Sequence, residues 1–259
     1  MSKYSQYYVF DDAIPYKGLL LYPVKIRDYM LFLSLASCLM LEKNSVKDPV
    51  LAAKAISMTY LEYMFSISIE DKTLIELFVG LMALVLGKKD DAKFEISFYT
   101  GEEGRPLFKI DDKTYDSKDF DQLREVIAEQ NSLELPNEKQ QKEVRDSIEA
   151  ARKFKQRISG SKVASFEEQL IALSLYSGWE LDKIYNMTIR KFISSISRAN
   201  HMIMSNIYLT ASLSGFVTFK NPDVLKGWLA DLTVENKDAD VTMSVESLQS
   251  KISFEDAKK

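Results

Sequence analysis

His201 and Cys38 are the sole histidine and cysteine of the chain, so imidazole or thiolate chemistry would have to run through them. A histidine acting as general base needs an orienting carboxylate and a nucleophile within hydrogen-bond reach, and the neighbours Asn200, Met202 and Met204 offer neither. Cys38 stands in an apolar run, where a thiol is expected to be buried, raised in pKa and inert. The pairs Asp11-Asp12, Asp90-Asp91 and Asp111-Asp112 have the side chains for metal or acid-base work. Adjacent side chains diverge on extended backbone, however, and each pair falls where a polar turn is expected. Gly101 and Gly104 lack the Lys-Ser/Thr and the following helix of a phosphate loop. The expectation is therefore a protein that is not an enzyme, with no catalytic residue, no cofactor and no metal. Its rival is an enzyme of unfamiliar carboxylate chemistry, whose mark would be two convergent carboxylates in a deep pocket.

The elements that position these residues are mostly helical. Prolines at 15 and 23 keep the residues before them out of helix; 7–10 reads as extended, and 17–22 as a short strand or hairpin. The stretch 25–43 is apolar on all sides, which predicts a helix covered by neighbours. Asp48-Pro49 supplies an N-cap and a first-turn proline for a helix over 50–65, and Asp71 or Thr73 is placed to cap the next one, ending at Gly87. Alternation at Phe94, Ile96 and Phe98, turn residues at 100–105, a return over 107–110 and a further turn into Thr114 and Tyr115 predict a meander. Ser117 is expected to cap a helix whose stripe is Phe120, Leu123, Val126 and Ile127.

Downstream, 138–159 reads as a water-loving helix and Ser165 with Glu168 as a capping box for a helix ending at Gly178. A short helix over 180–186 leads to Thr188, the expected cap of a long helix over 189–213. Asn221-Pro222 opens a last short helix carrying Leu225, Trp228 and Leu229. The fold class is thus mainly α with a small antiparallel β insert, an α+β multi-helix globule with a short hairpin or meander. The predicted organisation is an N-terminal extended segment with apolar helices over 1–87, a β-β-α insert over 88–136, a helical region over 137–232 and a flexible tail over 233–259.

With 259 residues, 46% of them hydrophobic, the chain can bury a sizeable core, and its one cysteine excludes an internal disulfide. No secretory leader is recognisable, so an intracellular location is expected. The apolar runs at 29–41 and 74–86 fall short of the roughly 20 residues a bilayer requires, so no membrane contact is expected. Lys and Arg number 34 against 38 Asp and Glu, which gives no general electrostatic case for nucleic acid. A nucleic-acid-binding regulator would have to use Arg145, Arg152, Lys153, Lys155, Arg157, Arg190, Lys191 and Arg198.

Several short motifs carry a resemblance. YSGWELDKIYNMT at 176–188 is similar to the pattern of glycine, short helix, Met-Thr and next helix in tail-assembly and morphogenesis proteins of tailed bacteriophages. FDQLREVIAEQN at 120–131 after a small hairpin, SGFVTFK at 214–220 ahead of Trp228-Leu229, and IPYKGLLLYPV at 14–24 resemble the same tail and baseplate proteins. The resemblance implies a non-enzymatic, chaperone-like role in building a phage or prophage tail or baseplate, in the host cytoplasm, with a structural subunit of the virion as the alternative. It implies partners among tail or baseplate components, with a homo-oligomer as a further option. Contact residues are expected among Phe192, Ile196, Tyr208, Phe216, Phe219 and Trp228, each of which also has a core role available to it.

Overall fold

In the computed structural model, residues 3–46, 48–68, 72–91, 94–101, 104–136, 146–147, 150, 164–217 and 219 are described. They are mainly helical, with two small antiparallel sheets. By contacts the chain divides into Met1–Glu138 with Phe166–Ala199, and Lys139–Ser165 with Asn200–Lys259.

In the first unit, α1 (Ser5–Phe10) replaces the extended segment expected at 7–10. β-branching and aromaticity favour a strand there, but the segment finds no strand partner among the described residues. α1 instead closes on Asp11, whose positive φ of 59° ends the helix. Strands β1 (Ile14–Tyr16) and β2 (Leu19–Leu21) form the expected hairpin. Lys17 and Gly18 both have positive φ, as a two-residue turn of the hairpin-favoured hand requires.

The single helix expected over 25–43 is broken. A 3-10 turn at Ile26–Asp28 leads into α2 (Tyr29–Leu35), and another follows at Ala36–Leu39. The helix over 50–65 is also two helices, α3 (Pro49–Ser57) and α4 (Tyr60–Ser68). Asp48 caps α3, accepting from the Val50 and Leu51 amides at 2.8 and 3.1 Å. The break is made by a capping box: Glu62 Oε2 accepts from the Thr59 amide at 2.6 Å while Thr59 Oγ1 accepts from the Glu62 amide at 3.3 Å. Helix α5 (Thr73–Val85) begins at Thr73 without a side-chain cap and turns off at Gly87, φ 69°.

Strands β3 (Ile96–Thr100), β4 (Pro106–Ile110) and β5 (Lys113–Tyr115) make the expected meander, in that order. Helix α6 (Ser117–Gln130) is capped by Asp116, one residue earlier than expected, in a reciprocal box with Asp119. Its stripe of Phe120, Leu123, Val126 and Ile127 is buried as the periodicity demands. Phe78 of α5, Phe108 of β4 and Phe120 lie in mutual ring contact, at 5.1 to 6.2 Å between centroids. Each buried phenyl of this kind is worth about 2 kcal/mol of apolar transfer.

Helices α7 (Phe166–Ser177), α8 (Leu181–Tyr185) and α9 (Ile189–Leu213) start and stop where the sequence indicated. Phe166 packs between Tyr29 and Phe192, at 4.7 and 5.9 Å. Thr188 caps α9, accepting from the Lys191 amide at 3.2 Å. In the second unit, α9 continues from Asn200, Gly215 takes φ 74°, and Phe219 returns against Tyr208 with ring centroids 5.5 Å apart. The helix expected over 138–159 lies outside the described residues except for Asp146, Ser147 and Ala150, as do the last short helix and the tail.

Candidate protein-binding surfaces

Three of the residues with reactive potential are held in structural roles. Cys38 is fully buried and its thiol is pushed up to about 12 by desolvation. Asp11 accepts from Thr188 Oγ1 at 3.0 Å and from Lys191 Nζ at 2.7 Å. Asp111 sits in a turn with φ 54° and pairs with Lys88 at 2.9 Å. Among the described residues, no three His, Cys, Asp or Glu side chains gather as a metal site would require. A groove of about 400 Å³ opens between the α3–α4 junction and the start of α6, lined in part by Glu62, Arg105, Asp116 and Lys118. Its two carboxylates are the helix-cap acceptors already described, Glu62 for Thr59 and Asp116 for Asp119.

A second polar group lies between α4 and α6. Tyr60 receives two cations on its ring, Lys43 Nζ at 3.9 Å and Arg124 Cζ at 3.7 Å from the centroid. Lys43 also donates to the Met58 carbonyl and Arg124 to that of Leu39, each at 2.7 Å. These carbonyls end short helical turns, where positive charge is favoured. Asp121 accepts from the Tyr60 amide at 3.1 Å, and burial raises its carboxyl above the ordinary value. Together these contacts brace helix ends.

Of the cations a nucleic-acid reader would need, Arg190 donates to the Glu129 carbonyl at 2.7 Å and stacks on Tyr8, and Lys191 is paired with Asp11. Arg145, Arg152, Lys153, Lys155 and Arg157 lie outside the described residues.

The distinctive chemistry of the surface is apolar. Helix α2 is hydrophobic but for Ser34; Phe32 is buried and Tyr29 and Leu35 lean on the core, yet Met30 (59% exposed), Leu31 and Leu33 stand in solvent. The cover expected for this stretch is thus one-sided. On α3, Ala55 faces inward while Val50 (78% exposed), Leu51 and Ile56 are bare. Exposed apolar side chains grouped in this way make these two helices the candidate surfaces for a partner.

The residues expected to touch a partner are dispersed. Phe192 is buried against Phe166, and Ile196 is half-buried against the same core. Tyr208 and Phe219 contact one another, Phe216 is 95% exposed, and Trp228 lies outside the described residues. Sequence reasoning missed α2 and α3 as exposed faces. For α2 no signal existed, since an apolar pattern on all sides predicts cover. For α3 the pattern held a hint, because Lys54 is the one charged side chain in a nine-residue apolar helix.

No helix among the described residues is long and apolar enough to cross a membrane. Comparison with curated proteins gives no match, and comparison with solved structures gives none either. Residues 155–233, under a third of the chain but including α7, α8 and α9, match the family model described as the YomV second domain. YomV proteins are encoded by phages and prophages, and the match supports a phage-related protein.

Proposed function

We propose that this chain is a non-enzymatic assembly protein of a phage or prophage tail or baseplate, holding another virion protein through its bare apolar helix faces. One observation carries the proposal: Met30, Leu31 and Leu33 on α2, with Val50, Leu51 and Ile56 on α3, are large apolar side chains left in water by a chain that has a well-filled core elsewhere. Covering them with a partner removes apolar area from water at about 25 cal/mol per Å². The mechanism is mass action: occupying an exposed surface stabilises the bound form in proportion to affinity and concentration. The family match over 155–233 supports the phage context, and the engagement of the carboxylates in helix caps supports a binding role over acid-base chemistry.

The test is affinity purification of the tagged full chain from infected or induced cells, with mass spectrometry of both the eluate and purified particles. Recovery of a tail or baseplate protein is expected. Absence of this chain from particles marks a transient assembly factor, and presence in fixed ratio marks a structural subunit. An eluate free of virion proteins contradicts the proposal.

A further inference from the structure

Helix α9 carries a repeat that its packing leaves largely unused. Ile193, Ile196, Asn200, Ile203, Ile207 and Thr210 follow one another at spacings of three and four, the period that keeps one seam of a helix facing a partner helix. Only Ile196 leans on the core; Ile193, Asn200, Ile203 (42% exposed), Ile207 (53% exposed) and Thr210 are exposed. Thr210 donates its hydroxyl to the Asn206 carbonyl of its own helix at 2.8 Å, so its polar group is satisfied within α9.

We propose that the seam is a dimerisation surface whose occupant is α9 of a second copy of this chain, side by side and parallel. Two features select a second copy. The first is Asn200, which takes the position equivalent to Ile193 and Ile207 in the repeat. A carboxamide is both donor and acceptor, so it is satisfied by its own twin across a two-fold axis and left unsatisfied against a purely apolar groove. The second is charge. The positions flanking the seam from 197 onward are Ser197, Ala199, Met204, Asn206 and Ala211, so two identical helices approach without like charges facing each other. Nor is there a pattern of charge that would choose a different chain. Isoleucine at both seam positions by itself favours three strands, and a lone asparagine favours two. Asn200 therefore sets the number of copies.

This surface is separate from α2 and α3, and its failure leaves the assembly role standing. The experiment is sedimentation equilibrium of the full chain over a range of concentrations. A reversible dimer of the 29.7 kDa chain is expected. Replacing Ile203→Lys and Ile207→Lys together should weaken self-association at least about a hundredfold, since each central apolar anchor is worth about tenfold or more. Asn200→Ile should shift the population from dimers to trimers. As a check that does not depend on the fold of a destabilised variant, Asn200→Cys should form an interchain disulfide on mild oxidation. Ser194→Cys, on the side of α9 away from the seam, should not, and the buried Cys38 stays silent. A monomer at all concentrations overturns the proposal. So does equal cross-linking at both positions, or a monomer whose melting temperature falls with the double lysine change, which would mean that the chain covers its own seam.

Discussion

The Thr188 hydroxyl donates to the Asp11 carboxylate at 3.0 Å, joining the end of α1 to the start of α9 across 177 positions of sequence. The same threonine oxygen accepts from the Lys191 amide, and Lys191 Nζ returns to Asp11 at 2.7 Å. Beside this triangle, the Ile26 amide donates to Met187 and the Ile189 amide to Val24, both at 2.9 Å. The first helix of the chain and the family-matched segment are thereby fastened at one part-buried point.

Thr188→Ala removes the cap and should cost about 1–2 kcal/mol of stability, whereas Thr188→Ser should cost less because it keeps the oxygen. Urea unfolding followed by circular dichroism measures both. An alanine variant as stable as the parent would mean that the triangle contributes nothing.

Arg124→Met strips the Leu39 carbonyl of its charged donor in a buried setting and should destabilise by about 2–3 kcal/mol. Tyr60→Leu removes the ring under both cations and should cost about 1–2 kcal/mol. Because the two side chains touch, the double variant should lose less than the sum, with a coupling of at least about 0.5 kcal/mol. Additive losses would show that the stacking carries no energy of its own.

Stability should fall in alkali, beginning near the thiol range. The Cys38 thiol has an ordinary value of 9.0 and is pushed up to about 12 by burial, so between these limits the unfolded chain releases a proton that the folded chain retains. The unfolded state is then favoured as pH rises, and no contribution exists below about pH 9. The Tyr16 and Tyr115 hydroxyls, both raised above 10.0 by burial, extend the same trend upward. Cys38→Ala should flatten the slope of stability against pH between 9 and 12, and the native thiol should resist disulfide reagents until the protein unfolds. Rapid labelling at neutral pH would contradict its burial.

Gly18→Ala should cost about 1–2 kcal/mol, since its φ of 85° lies where an L side chain is strained. The new methyl would also strike the end of the Lys113 side chain. Thermal melts of the variant check the sign, and unchanged stability would mean that the turn relaxes freely.

What was legible in the sequence follows from where the signal is local. Asp48-Pro49, Thr188 and the glycines at 178 and 215 act through their own backbone neighbourhood, and each begins or ends a helix as expected. The period-two run at 94–98 and the stripe of α6 were equally plain, because one buried face imposes its spacing. The errors arose where a local signal was hidden inside an apolar run or tertiary context decided. Thr59 and Glu62 spell a capping box, but the surrounding apolar residues continue the helical pattern through it, so α3 and α4 read as one helix. Residues 7–10 have strand-forming side chains and no strand beside them. Exposure was least legible of all. The composition of α2 announces burial, and only the fold reveals that one side of it, around Phe32, is covered. Phe192, named for a partner, was claimed by Phe166 because α7 lies where sequence spacing alone could not place it.

Whether bare apolar helix faces hold a phage protein is decided by quantitative co-purification from infected or induced cells, comparing the parent with a Met30→Glu, Leu33→Glu, Val50→Glu variant. These side chains are exposed, so the variant should keep the parent's circular dichroism and melting temperature. The tail or baseplate protein captured by the parent should fall at least about tenfold in the variant, the loss expected when anchors of an apolar interface acquire charge. Equal capture by a folded variant would contradict the proposal.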